Sequence, residues 1–471
     1  MIRAHTAAQV RAAEAALRAT LPPGTLMARA STGLAHACSR LLGRTYGSRV
    51  LLLVGGGDNG ADALWAGAQL CRRGAQVTAA LVGEPVADAL AAFRAAGGRV
   101  GPAGPADLVV DGLVGIGGRG ALREPAAALV RVASGPVLAV DLPSGVDADT
   151  GAVQGDAVRA DITVTFGTYK PGLLVGAGKE RAGRVELVDI GLGPYLPPAP
   201  VEALEAGDLV LPRTPLDKYD RGVLGVAAGS ATYPGAAVLA VGAALAAGAG
   251  MVRFSGAAHP AEQVRLRWPE TVVTEARGAG VVDAGRVQAW VVGPGLGTDD
   301  VAAQTVEAVL ASDVPVLVDA DALTVCAQHP DWLRRRDAPT LLTPHDREFE
   351  RFGAAVGPDR VGAARRLAAG LGVHVLLKGD ATVVAGPAGP VRVNRTGTSV
   401  LATAGSGDVL SGGCGALLAQ GLPVLEAASA AAHLHGRAGA LSSDGLSTHA
   451  GRLLTAWPDA VREALAARLA G

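Results

Sequence analysis

The chain has 471 residues, of which 49% are hydrophobic, 18% charged and only 3% aromatic, with 66 glycines. That length exceeds one ordinary core and predicts two domains of roughly 200–250 residues each, while the apolar content excludes a disordered chain. A net charge of −1 gives no global field for nucleic acid or an anionic membrane, so neither is an expected partner.

Cys38, Cys71, Cys326 and Cys414 lie far apart without metal-ligand spacing, which fits reduced thiols of a cytoplasmic protein. The opening stretch MIRAHTAAQVRAAEAALRA reads as an amphipathic helix over 8–20 rather than a signal peptide. A second helix runs through Leu42. The apolar run 49–54 reads as a strand buried on both faces. Gly55-Gly-Gly-Asp-Asn-Gly-Ala-Asp62 follows, with a helix expected over 63–73. This order of strand, glycine loop and helix suits a nucleotide or phosphate, although it matches no standard glycine fingerprint. A tight turn capped by Asp and Asn is the plainer reading.

Further strands are expected at 76–82, 107–111, 137–141, 162–166 and 185–189, with a helix at 86–96. Asp111 ends one strand before a second glycine loop, 112–120. Asp141 ends another before Leu-Pro-Ser-Gly145, and Lys170 sits in the loop 167–172. A parallel sheet places such loops on its carboxyl edge. Asp58, Asn59, Asp111, Asp141, Ser144 and Lys170 are therefore expected to converge in one crevice.

A proline-rich connector, 191–200, and an irregular stretch, 212–220, divide the chain into domains 1–205 and 206–471. The second half carries expected strands at 222–228, around 272–273, and at 289–292, 314–319, 340–342 and 373–377. A hairpin begins at 382–384. The helix 236–247 consists of small residues and must pack closely; it is too short to span a membrane. In 394–420 a Thr-Ala-Gly-Ser-Gly run leads into Asp408 and a helix. Free amides at a helix start can cradle an anion, so a carboxylate there is either a cap or a base for a substrate hydroxyl.

The segments 55–64, 111–120, DLPSGVDADTG at 141–151 and TVTFGTYKPGLL at 163–174 resemble the YjeF N-terminal domain, the NAD(P)H-hydrate epimerases. That resemblance implies a Rossmann-like parallel-sheet domain binding a hydrated nicotinamide nucleotide at Asp58, Asn59, Gly60, Ala61 and Asp62. The loop Gly115, Ile116, Gly117, Gly118, Arg119, Gly120 and Ala121 is implied as well, as is Asp141. Asn59, Asp111 and Ser144 are implied as potassium ligands, and Asp141 is the candidate acid/base residue. Asp58 and Ala61 depart from the family's Asn-Asn-Gly-Gly-Asp pattern.

The segments 228–236, 292–297, 318–323, 342–348, 377–379 and 401–408 together resemble the ADP-dependent NAD(P)H-hydrate dehydratases, a ribokinase-like α/β fold. That resemblance implies hydrate contacts at Ala236, Gly295, Gly297, His345 and Asp408. ADP or AMP contacts are implied at Lys378, Gly379, Asp380, Ala381, Thr382 and Gly407, with Asp408 catalytic and magnesium a helper for ADP. Arg347 stands where the family has glycine, and Arg221 where it has lysine. The two halves together resemble the bifunctional NAD(P)H-hydrate repair enzymes. The expected ligands are the hydrates NADHX and NADPHX with ADP, and the expected assembly is a homo-oligomer. The rival reading is a kinase of a small alcohol beside a nucleotide-binding domain.

Overall fold

The computed structural model describes residues 1–212, 217, 219–443, 445 and 447–470. Of the irregular stretch 212–220, residues 213–216 and 218 lie outside that set. The chain divides into two compact units, Arg3–Val201 and Glu202–Gly471, with Met1–Ile2 belonging to the second.

The first unit holds a seven-stranded parallel sheet in the order 99–100, 76–81, 49–54, 108–112, 137–140, 162–166, 184–188. Strand Arg49–Val54 shows why the sheet is covered on both sides. Val50, Leu52 and Val54 enter one apolar cluster with the helices Ala7–Arg18, Thr25–Leu42 and Asp58–Arg72. Leu51 and Leu53 enter another, with Leu122, Ala126 and Ala127. A strand repeats every two residues, so an unbroken apolar run buries both faces at once. The strand order reverses between 49–54 and 108–112, which opens a crevice at their carboxyl ends.

One expected boundary moves. The helix predicted over 63–73 begins at Asp58. Gly55 closes the turn because any side chain there would strike the Leu113 carbonyl, its Cβ falling 1.9 Å from that oxygen. Asp58, Asn59 and Asp62 thus lie on the first turns of a helix and not in a loop.

The second unit repeats the plan. Strands 374–377, 340–342, 316–318, 289–292, 223–227, 251–256 and 272–275 lie parallel in that order. Strands 383–385 and 391–393 continue the sheet antiparallel, as a hairpin. The sequence reading missed strand Met251–Gly256. The order reverses between 223–227 and 289–292, which marks a second crevice. The helices Pro234–Ala246 and Ser406–Ala419 pack backbone against backbone. A Cβ on Gly412 would stand 2.0 Å from the Ala240 carbonyl oxygen, which is why both helices are built from small residues. Among the described residues, no helix is long and apolar enough to cross a membrane.

Candidate active site

In the first unit, three of the expected residues meet at the strand reversal. Asp111 is fully buried. It accepts hydrogen bonds from the Ser144 hydroxyl at 2.6 Å and from the Ser144 amide at 2.8 Å. Burial pushes its carboxyl up to about 6, against the pull of those bonds. The Ser144 oxygen also accepts from the Val114 amide at 2.9 Å. The Asn59 carboxamide donates to the Val140 carbonyl at 2.5 Å. Gly115 lies so close to it that a Cβ there would stand 2.2 Å from Asn59 Oδ1. Asn59, Asp111 and Ser144 are thus brought to one place.

Asp141 forms a neighbouring centre. Its backbone is left-handed, with φ 68°, a conformation that costs a non-glycine residue free energy. Its Oδ1 accepts from Lys170 Nζ, from Thr165 Oγ1 at 3.1 Å and from the Phe166 amide at 3.2 Å. Glu14, on the first helix, has its carboxyl raised, first by burial, while Arg18 and Lys170 pull against that and Asp141 adds to it.

The run 58–62 does not act as one surface. Asp58 is exposed and pairs with Arg18 at 3.6 Å, a cation it shares with Glu14 at 3.4 Å. Gly60 and Ala61 are buried, and the Ala61 side chain packs in the apolar cluster. Asp62 is buried too, with Oδ1 lacking a partner; burial, and then the charge of Asp141, hold its carboxyl well above the usual range. The loop residues Ile116, Gly118, Arg119 and Gly120 border a cavity of about 410 Å³ with Arg11, Asp147, Thr150 and Gln154. Gly117 and Ala121 are exposed on the same loop.

In the second unit, Gly405 takes a left-handed conformation, φ 82°, and starts the helix Ser406–Ala419. The first backbone bond of that helix runs from Val409 N to the Gly405 carbonyl at 3.2 Å, so the amides of Gly407 and Asp408 precede it and remain available to an anion. Asp408 does not cap the helix, since the start has no side-chain cap. Burial, then the charge of Asp319, pushes its carboxyl up to about 7, with Lys378 pulling the other way.

Around it lies a buried charge network. Lys378 Nζ donates to Asp319 Oδ1 at 2.8 Å and lies 3.5 Å from Glu348. Asp319 Oδ2 accepts from Ser411 Oγ at 2.6 Å, one turn beyond Asp408 on the same helix. Burial lowers the Lys378 ammonium, but the two carboxylates outweigh it and the net shift is upward. A Cβ on Gly407 would stand 3.7 Å from Lys378 Nζ, which places the glycine turn directly over this network.

Ala236 and Gly295 also meet, with Gly297 two residues on. A Cβ on Gly295 would be 2.9 Å from Ala236 Cβ, and the Gly297 amide donates to Asp321 at 2.9 Å. His345 is half-exposed and caps the helix Asp346–Glu350. Its amide donates to Glu348 at 2.9 Å, so it reaches the network through Glu348. In the stretch 378–382, the Thr382 hydroxyl donates to the Gly379 carbonyl and Arg360 to the Lys378 carbonyl. Asp380 and Ala381 complete that turn. Arg347 and Arg221 are exposed.

Sequence reasoning assigned no role to Asp319, Glu348, Ser411, Arg360 or Glu14. Asp319 and Glu348 did stand inside the quoted motifs at 318–323 and 342–348. Ser411 and Glu14 had no signal beyond their place on a helix.

Two families match this chain. A profile described as NAD(P)H-hydrate dehydratase matches residues 224–456, and one described as YjeF-related protein N-terminus matches 23–172. A solved ribokinase-like superfamily protein from Enterococcus faecalis shares the second unit's fold. It is 24% identical with TM-score 0.51 and covers 56% of this chain and 96% of its own. The Bifunctional NAD(P)H-hydrate repair enzyme Nnr of Mycobacterium leprae is 52% identical over 93% of this chain and 94% of its own. The enzyme of the same name from Mycobacterium tuberculosis is 54% identical over 89% and 90%. With both halves matched in order and across nearly the full length of these relatives, the chain belongs to the family of bifunctional NAD(P)H-hydrate repair enzymes.

Proposed function

We propose that the protein repairs hydrated NADH and NADPH. The first unit interconverts the (R) and (S) C6 epimers of the hydrate. The second dehydrates the (S) epimer at the expense of ADP, releasing AMP and phosphate. The observation that carries the reading is the placement of Asp408, a half-buried carboxylate raised to about 7, on a helix start whose amides are free.

The chemistry follows from the leaving group. Hydroxide leaves poorly, whereas phosphate leaves readily as the ring nitrogen donates its electron pair. Asp408 takes the proton of the C6 hydroxyl as that oxygen attacks the terminal phosphorus of ADP. Of the amides of 404–407, that of Ser406 is donated to the Thr403 carbonyl, so those of Ala404, Gly405 and Gly407 stabilise the transferring phosphoryl group, joined by that of Asp408. Carboxylate and amides thus serve different atoms, which removes the conflict between them. Ala236, Gly295 and Gly297 form the close wall against the hydrate, His345 stands at its rim, and the turn 378–382 takes the nucleotide. Lys378 is spent on Asp319 and Glu348, so it holds the floor of the site rather than reaching for phosphate.

For the first unit, the buried oxygen set of Asn59, Asp111 and Ser144 fits a hard monovalent cation. Burial has raised the Asp111 carboxyl, and a potassium ion there would offset that cost. Potassium would supply fixed positive charge beside the nicotinamide ring. Magnesium would arrive with the ADP phosphates, since the described residues present no cluster of three His, Cys, Asp or Glu side chains. We propose a cytoplasmic location and a homo-oligomeric state, the latter read out by light scattering.

The test is to incubate purified protein with mixed NADHX epimers and ADP, following dihydronicotinamide absorbance, AMP and phosphate. Full recovery at the enzymatic rate supports both activities. Half recovery, with the rest at the spontaneous rate, removes the epimerase. No recovery of absorbance from the hydrate, together with conversion of an added small alcohol to a stable phosphoester, would establish the small-alcohol kinase instead.

A further inference from the structure

Lys170 is among the most buried side chains of the protein, 1% exposed, and nothing above gives it a task. Its ammonium donates to Asp141 Oδ1, to Thr165 Oγ1 at 3.0 Å and to the Phe166 carbonyl at 3.2 Å. An ammonium has three protons, so every one is used inside the protein. Asp141 is held equally hard, by Lys170, Thr165 and the Phe166 amide. Its own backbone occupies the left-handed region.

This arrangement is expensive. Burying two charges loses more hydration than their attraction commonly returns, and an apolar pair of similar volume would be at least as stable. The left-handed Asp141 adds a further cost. A fold needing only stability here has a cheaper solution. The cost is incurred at the carboxyl end of strand Val137–Val140, two strands from the reversal point, where ligands of such sheets bind. Over-determination of one carboxylate at that edge is what a proton-transferring site requires.

We propose that Lys170 is the positioning residue of the epimerase, fixing the Asp141 carboxylate against the hydrated nicotinamide ring. Lys170 does not touch substrate; it acts through Asp141, with Thr165 as the shared third partner. The inference rests on the epimerase reading above and names the device that makes Asp141 competent.

The test measures epimerisation by three variants, with thermal unfolding in parallel. K170M lowers kcat by about 100-fold or more while KM stays within about threefold, because orientation is lost and binding is not. K170R recovers at least about tenfold of that loss, since charge is kept and only geometry changes. K170Q, which keeps a hydrogen-bond donor for Asp141 without the charge and leaves Asp141 in place, decides the matter if K170M alone fails to fold: its kcat falls by at least about tenfold while KM stays within about threefold. Wild-type kcat in folded K170M or in folded K170Q would overturn the proposal and leave Lys170 a structural ion pair. Wild-type protein without any epimerisation would instead overturn the function proposed above, and this inference with it.

Discussion

Among the described residues, the non-glycine positions with left-handed backbone are Asp141 and Ala320. Each follows a strand at the carboxyl edge of its sheet, one beside Lys170 and the other next to Asp319. Backbone strain of this kind persists where the surroundings over-determine it, and here it falls in both candidate sites. Asp408 carries the sharpest residue-level expectation. Asp408→Ala should cut dehydration by roughly 10²–10⁴-fold, with epimerisation unchanged because its residues lie in the other unit; single-turnover absorbance recovery checks it. Because burial raises the Asp408 carboxyl to about 7, kcat/KM for dehydration should fall as pH drops below about 7, where the base becomes protonated. The same shift carries a stability sign. A carboxyl raised in the folded state binds its proton more tightly than the unfolded chain does, so Asp408 costs stability increasingly as pH rises from about 4 to about 7. Asp408→Asn should therefore unfold at a higher temperature than wild type at pH 8, and equally at pH 4. An unchanged melting temperature at pH 8 would contradict the buried charge.

At the scale of elements, both sites are built from one device, a strand that ends in a glycine turn and feeds a helix. Gly293 shows how little room the device leaves. Its φ is 120°, and a Cβ would fall 2.0 Å from the Asp319 carbonyl oxygen. Gly293→Ala should destabilise the second unit by about 3 kcal/mol or more, since both backbone strain and overlap must be relieved. It should also abolish dehydration, as read by denaturant unfolding and activity. The device was legible in the strand-end motifs, because a glycine-rich turn after an apolar run has few alternative meanings. Its helix start was not legible. The glycines through Gly60 place Asp58–Asp62 in a turn, whereas close packing of Gly55 onto the Leu113 carbonyl ends the turn early and lets the helix begin at Asp58. The network of Lys378, Asp319, Glu348 and Ser411 was equally hidden, since its members are drawn from two strand ends and two helices.

For the whole molecule, the second unit carries an acid liability. His433 and His435 lie on the buried helix Val424–Ser443, and burial lowers both to about 4. A histidine depressed in the folded state gives stability that is full above its unfolded value and lost as pH falls toward the folded one. Each should therefore withdraw about 2 kcal/mol between pH 7 and pH 5, with most of the loss below about 6.5. Chemical denaturation of the second unit at pH 7 and pH 5 checks this, and His435→Leu should flatten the difference. A stability independent of pH across that window would mean that neither ring is buried neutral.

The α/β class, the order of strand-end motifs and the identity of the candidate carboxylates were legible in the amino-acid sequence, because each depends on short-range pattern. It also determined the close packing of the small-residue helix over 236–247, since alanine and glycine leave no other distance at which to pack. Tertiary structure decided which of those residues share a site. It brought Asn59, Asp111 and Ser144 to one point, withdrew Ala61 into the core, set Asp58 beside an arginine shared with Glu14 and set Lys378 on Asp319. It also recruited Glu14 and Lys170 to Asp141 across long stretches of chain. Those outcomes turn on strand order and burial, and neither is encoded within any single motif.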